Sequence, residues 1–204
     1  MSIGHKSFSE EVISKSKLHT IPVLVTPTGE VIRDGGAIID HFEPTLGNRC
    51  SPTGYQQQII SSLFELIGSE GLRRPAMHFR WNFPDKNEDY LRYHFLHTLP
   101  DSDDRELRTT EIMARLSKVT ALRGVTEENQ TIVETVYCEF IEALNDHFKY
   151  TPYLLGGRPS RGDFGLISPL FGHLGRDPYP ASLMVARAPR VSRWVERMNR
   201  PYQD

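Results

Sequence analysis

Two cysteines, Cys50 and Cys138, are all that the 204 residues contain. That scarcity excludes a disulfide framework and a cysteine-based zinc site, and it fits a reducing, cytoplasmic setting. Long apolar runs are missing as well. None approaches the ~20 residues that span a bilayer, so no membrane partner is expected. Residues 1–10 lack the basic start and apolar stretch of a secretory leader. Nor is there a surplus of positive charge: Lys and Arg number 24 against 26 Asp and Glu. With nothing in excess to neutralise phosphates, nucleic acid is not an expected partner. What is present is ordinary for a soluble globular chain, 38% hydrophobic and 25% charged, and at this length it can bury a real core.

The opening section reads as helix, hairpin, helix. Residues 9–18 place Val12, Ile13 and Leu18 among polar neighbours, a short helix. Residues 22–26, Pro-Val-Leu-Val-Thr, have the β-branched character of a buried strand. Pro27-Thr28-Gly29 signals a turn, and residues 30–33 a return strand. Asp34 is placed to cap a helix whose apolar stripe is Ile38, Ile39 and Phe42. Residues 44–52 are rich in turn formers and read as a linker.

Beyond the linker the pattern is helical throughout. Ile59, Ile60, Leu63, Phe64 and Ile67 recur at helical spacing, as do Ile112, Met113, Leu116 and Val119. Residues 132–148 sustain an apolar face for about four to five turns. Residues 164–174 are almost wholly apolar, as in a central helix, and Val191, Trp194, Val195 and Met198 mark a last amphipathic one. The expected class is α+β, a small α/β unit followed by an all-helical domain.

Two stretches resemble the glutathione transferase superfamily. His19-Thr20-Ile21-Pro22-Val23-Leu24, the hairpin and Asp34-Gly35-Gly36-Ala37-Ile38-Ile39 resemble the second half of its thioredoxin-like domain. Residues 153–164, Tyr-Leu-Leu-Gly-Gly-Arg-Pro-Ser-Arg-Gly-Asp-Phe, resemble the entry to the central helix of its C-terminal domain. The resemblance runs over essentially the whole chain. It implies a partial thioredoxin-like, glutathione-binding domain over residues 1–46 and an all-helical domain over 47–204. It also implies glutathione as a substrate, a small apolar electrophile as second substrate, no metal, and a homodimer.

The residues bear this out to different degrees. Ser160 and Asp163 form an S-x-x-D capping box, in which hydroxyl and carboxylate satisfy two otherwise orphan amides; the role expected for both is structural. Ile21-Pro22 is either an ordinary trans proline opening a strand or, as the resemblance implies, a cis bond. In the cis case the backbone of Ile21 would pair with the cysteinyl part of glutathione as an added strand does. Asp34 and Gly35 stand where the family carries an acidic residue or Gln followed by Ser or Thr. A helix N-terminus there offers amides to the γ-glutamyl carboxylate, but Gly35 has no hydroxyl to add. Asp34 is as well read as a plain N-cap. His78, Arg80 and Trp81 lie where the family places the cleft for the electrophile, and packing is the competing explanation.

The family's domain opens with a strand, a helix and a second strand, and its catalytic Tyr, Ser or Cys lies near the end of the first. Residues before Ser9 do not resemble that unit, and Ser2, Ser7 and Ser9 are given no catalytic role. The expectation is therefore a chain that begins partway through the domain, with its catalytic residue unassigned. Two functions stay open: a transferase, or a non-catalytic module for binding or assembly. Asp163-Phe164-Gly165, Arg161-Gly162-Asp163, the pair His94 and His97, and Cys50 lack the companions that kinase, adhesion, metal or thiol chemistry would require.

Overall fold

The computed structural model describes residues 8–17 and 21–200. In chain order, a π-helical segment Phe8–Ile13 leads into α1 (Ser14–Ser16), then β1 (Val23–Val25), β2 (Val31–Arg33) and α2 (Gly35–Phe42). There follow α3 (Tyr55–Leu66), a π-helical turn Ile67–Gly71, α4 (Arg73–Trp81), α5 (Pro84–Thr98), α6 (Arg105–Ser117) and α7 (Val119–Leu122). The chain ends in α8 (Gln130–His147), α9 (Arg161–Pro169) with a π-helical turn Leu170–Leu174, α10 (Pro178–Arg187) and α11 (Pro189–Met198). These elements form two compact units. One holds the described residues up to Asn48 together with Arg92–Ala114, the other Arg49–Leu91 and the chain from Arg115 onward.

In the first unit the hairpin is antiparallel, with Val23 opposite Arg33, Leu24 opposite Ile32 and Val25 opposite Val31. Its turn is closed by bonds from Gly29 N–H to the Thr26 carbonyl and from Thr26 N–H to the Glu30 carbonyl, both 2.9 Å. Gly29 takes φ 87°, the left-handed position that ends a three-residue hairpin loop and that glycine fills without strain. The early helix ends at Lys17, which is left-handed at φ 57°; Leu18, His19 and Thr20 lie outside the described residues. Arg33 ties this helix to β2 by donating from Nη1 to the Ser16 carbonyl at 2.8 Å. Residues 22–26 are not the buried strand that their composition suggests. Val25 is 40% exposed, because among the described residues the sheet has two strands only and β1 has a neighbour on one side.

The second unit is built around α9. Leu166, Leu170 and Leu174 are fully buried and meet Phe79, Tyr137, Ile141, Met184, Val191 and Trp194 in one apolar cluster. The helix α3 enters this core by an unexpected side. Its periodicity puts Ile59, Ile60 and Leu63 on the inward face, yet Ile59 is 62% and Leu63 53% exposed, while Ser61 is buried. The reason is backbone proximity. A Cβ on Gly165 would lie 2.5 Å from Glu65 Cα, one on Gly162 2.8 Å from the Ser61 carbonyl, and one on Gly68 2.2 Å from the Gly165 carbonyl. Only small residues fit at such a crossing, so Ile59 and Leu63 face outward while Phe64 and Ile67 pack against the core beside it.

Candidate functional site

Three features converge where the first unit's hairpin meets α2. The Ile21–Pro22 peptide bond is cis. The Pro22 carbonyl accepts from Asp34 N–H at 3.2 Å, which fixes the start of α2 beside the proline. Asp34 itself has φ 82° and ψ 142°, and its carboxylate accepts from Gly36 N–H at 2.8 Å. A non-glycine residue in that region is strained by about 1–3 kcal/mol, and such strain persists only where the surroundings impose it. The first amides of any α-helix have no intrahelical partner. Gly36 spends its amide on Asp34, and among the described residues the Gly35 and Ala37 amides bond to nothing. This is an exposed helix N-terminus with open donors and positive dipole character, with an acidic side chain beside it. Gly35 has an ordinary backbone, and a Cβ there would touch only Pro22 Cγ, at 3.9 Å.

His78, Arg80 and Trp81 lie on α4 in the second unit, where the first two are engaged internally. His78 is fully buried. Its Nδ1 pairs with Asn82 Nδ2 at 2.8 Å and its Nε2 with Glu134 Oε1 at 2.9 Å. With the Asn82 amide donating to Nδ1, Nε2 carries the proton and donates to Glu134. Arg80 grips the buried Asp177 with a two-pronged fork, Nε to Oδ2 at 2.7 Å and Nη2 to Oδ1 at 2.8 Å. Burial, with the Arg80 guanidinium adding to it, pushes the nearby His173 imidazole down to about 4. Trp81 is half-buried.

Ser160 and Asp163 form the reciprocal capping box at the start of α9. Asp163 is fully buried and does more than cap. It accepts from Ser160 N–H and Ser160 Oγ at 2.8 Å, and from Leu154 N–H and Trp194 Nε1 at 3.0 Å. One carboxylate thus joins the approach loop, the central helix and α11. The sequence reading missed Asn87, which is buried, donates to the Phe79 carbonyl at 2.7 Å and accepts from Tyr179 N–H at 3.0 Å. Nothing in the polar run Asp85-Lys86-Asn87-Glu88-Asp89 singles it out. It also missed Asp177, although Asp177-Pro178 is a helix-start signal, with Pro at the first helical position. Among the described residues no helix is long and apolar enough to cross a membrane. Nor, among them, are three or more His, Cys, Asp or Glu grouped to hold a metal ion.

Residues 139–197 match the family model described as the glutathione S-transferase C-terminal domain, a segment that contains the capping box and Trp194. A glutathione S-transferase from Rhodospirillum rubrum F11 superposes with a TM-score of 0.53. It shares 14% identity over 94% of this chain and 72% of that one. A second glutathione S-transferase, from Xanthobacter autotrophicus Py2, gives 0.48 at 17% identity over 96% of this chain and 76% of its own. No curated protein matches. The fold is that of the glutathione transferases, α+β with an all-helical C-terminal domain. The matched segment and the fold together support the glutathione transferase superfamily.

Proposed function

We propose that this chain is a glutathione transferase-like protein that holds glutathione where the hairpin meets α2 and presents its thiol to a small apolar electrophile. The observation that carries this reading is the strained backbone of Asp34, φ 82°, at an exposed helix start with open amides. Strain of this kind gathers at ligand clamps. In this reading the Gly35 and Ala37 amides take the γ-glutamyl carboxylate, the Asp34 carboxylate takes the neighbouring ammonium, and the Ile21 backbone pairs with the cysteinyl backbone. The glutathione-binding part covers residues 1–46 and the helical part 47–204. His78 and Arg80 hold α4 in place. No residue is assigned to thiol activation. A homodimer belongs to the same reading, and light scattering decides it.

Calorimetric titration of the full chain with glutathione tests the proposal. Expected is saturable binding that falls at least tenfold in Asp34→Ala; a wild-type chain that does not bind at millimolar concentration overturns it. Gly35 favours a second reading, binding without chemistry, because the helix start has no hydroxyl to complete the carboxylate site. Retention on immobilised glutathione with no turnover of an aryl halide decides for that reading, and turnover decides for the enzyme.

A further inference from the structure

The second unit carries a cavity of about 510 Å³ lined by Glu70, Gly71, Arg73, Arg74, Leu122, Arg123 and Gly124, residues that the glutathione reading does not use. Its geometry begins with the end of α7. Gly124 is left-handed at φ 78°; its N–H donates to the Ala121 carbonyl at 2.9 Å, and Val125 N–H donates to the Thr120 carbonyl at 3.3 Å. This pair of bonds is the Schellman closure of a helix, and it leaves the carbonyl of the capping residue, Arg123, without a partner in the helix. Arg74 fills that gap by donating from Nε to the Arg123 carbonyl at 3.2 Å. Its guanidinium is thereby anchored against Gly124, 3.5–3.7 Å from where a Cβ would stand. No side chain at 124 intrudes on it. The remaining guanidinium N–H groups of Arg74 have no protein acceptor among the described residues.

The other charges of the cavity are unequal. Arg73 pairs with Glu70 at 2.9 Å, both well exposed. Arg123 has no side-chain partner among the described residues, and Leu122 beside it is 83% exposed. Three guanidinium groups against one carboxylate leave two formal positive charges around a space of small-ligand size. A phosphate monoester carries about −1.5 to −2 at neutral pH and three acceptor oxygens. Guanidinium forks match those oxygens in geometry as well as in charge.

We propose that this cavity is an anion site for a phosphorylated small molecule, with Arg123 and Arg74 as its binding residues and Glu70 as a competing internal anion. Arg73 is held in reserve by Glu70 and released when the phosphate takes that carboxylate's place. The proposal stands apart from the glutathione reading and shares no residue with it.

The test is titration of the full chain with inorganic phosphate at low ionic strength, followed by amide chemical shifts or calorimetry. Saturable 1:1 binding is expected, weakened at least fivefold in Arg123→Ala and tightened two- to fivefold in Glu70→Gln. Neither side chain supports the fold, so unchanged thermal unfolding confirms that both variants are comparable with the parent. Saturation at one phosphate per chain is what a passive basic surface would not produce, since general electrostatic attraction has no fixed stoichiometry. No saturation by 10 mM phosphate, or saturation indifferent to Arg123→Ala, overturns the site. Tightening absent in Glu70→Gln overturns the role given to Glu70.

Discussion

In the second unit the apolar side chains of α4, α8, α9, α10 and α11 meet in one continuous cluster, and the buried Asp163 and Asp177 carboxylates each accept two or more hydrogen bonds. In the first unit the buried apolar residues are few, Phe8, Ile32 and Leu99 among them, and no residue of α2 is fully buried. Turn closure, strand pairing and single side-chain bonds such as Arg33 to Ser16 supply its order. Each such bond contributes only about 0.5–1.5 kcal/mol. The difference assigns the work. The helical unit sets global stability, whereas the unit that carries the glutathione reading sits nearer the low-stability end, where ligand-binding elements are drawn from. A ligand bound there would stabilise the first unit more visibly than the second.

The sharpest way to break the comparison is at Asp163. Asp163→Ala removes one acceptor from four buried donors, each costing about 1–3 kcal/mol when left unsatisfied. The expected loss is at least about 4 kcal/mol by urea unfolding, a large share of the ~5–15 kcal/mol that holds a typical domain folded. A loss below 1 kcal/mol would mean that the second unit does not depend on this node. Next in size is Gly165→Ala, whose Cβ would lie 2.5 Å from Glu65 Cα. Separating α3 from α9 should cost about 2–3 kcal/mol. Gly157→Ala, with nothing within 4 Å, is the control and should change stability by less than about 0.5 kcal/mol.

These two sites also mark how far the sequence could be read. The Ser160–Asp163 box was legible because capping is local: its residues, spacing and position before an apolar run suffice to specify it. The hairpin and the Asp34 cap were legible for the same reason. What was not legible depends on partners distant in the chain. Leu154 and Trp194 converge on Asp163 from nine and 31 residues away. The inward face of α3 is chosen by glycines about 100 positions later, so of its periodic apolar residues Phe64 and Ile67 meet the core while Ile59, Ile60 and Leu63 are exposed. At the candidate site the residues could be named from their motif. The backbone strain at Asp34 could not, since φ is a property of the folded chain. His78 and Arg80 were read from the resemblance as lining the electrophile cleft, with packing as the competing explanation, and the distant partners they bond to, Glu134 and Asp177, carry no local signal.

A smaller effect separates the units by pH. His173 titrates near 4 in the folded chain because burial disfavours its cation and the Arg80 guanidinium adds to this; the unfolded side chain titrates near 6.5. Between these values the unfolded state binds more protons, so this residue's contribution makes stability rise with pH from about 4 to about 6.5 and fall on acidification. In His173→Gln the dependence of unfolding free energy on pH should flatten across that window relative to wild type. Parallel curves would sink the assignment. The loss on acidification should register in probes of the second unit, such as Trp194 fluorescence.

A small change in stability, and the one most informative about function, is expected of Gly35→Ser. The position accepts a side chain, since its φ is ordinary and a Cβ meets only Pro22 Cγ at 3.9 Å. Serine at a helix start should cost nothing and add about 0.5 kcal/mol, because glycine is the poorer helix former. Its hydroxyl would point to the same space as the open Gly35 and Ala37 amides. If the γ-glutamyl carboxylate binds there, one charge-assisted hydrogen bond is gained, ~1.5 kcal/mol or more, and glutathione should bind about tenfold tighter. Asp34→Gly is the companion. It relieves the strained φ and loses only a few tenths of a kcal/mol of capping, so stability should hold while glutathione binding falls. Calorimetry beside thermal unfolding reads both. An affinity unmoved by either change, in chains that remain folded, would show that the first unit's strain serves its own turn geometry and not a ligand. The thinly packed unit would then have lost its functional reason for being thin.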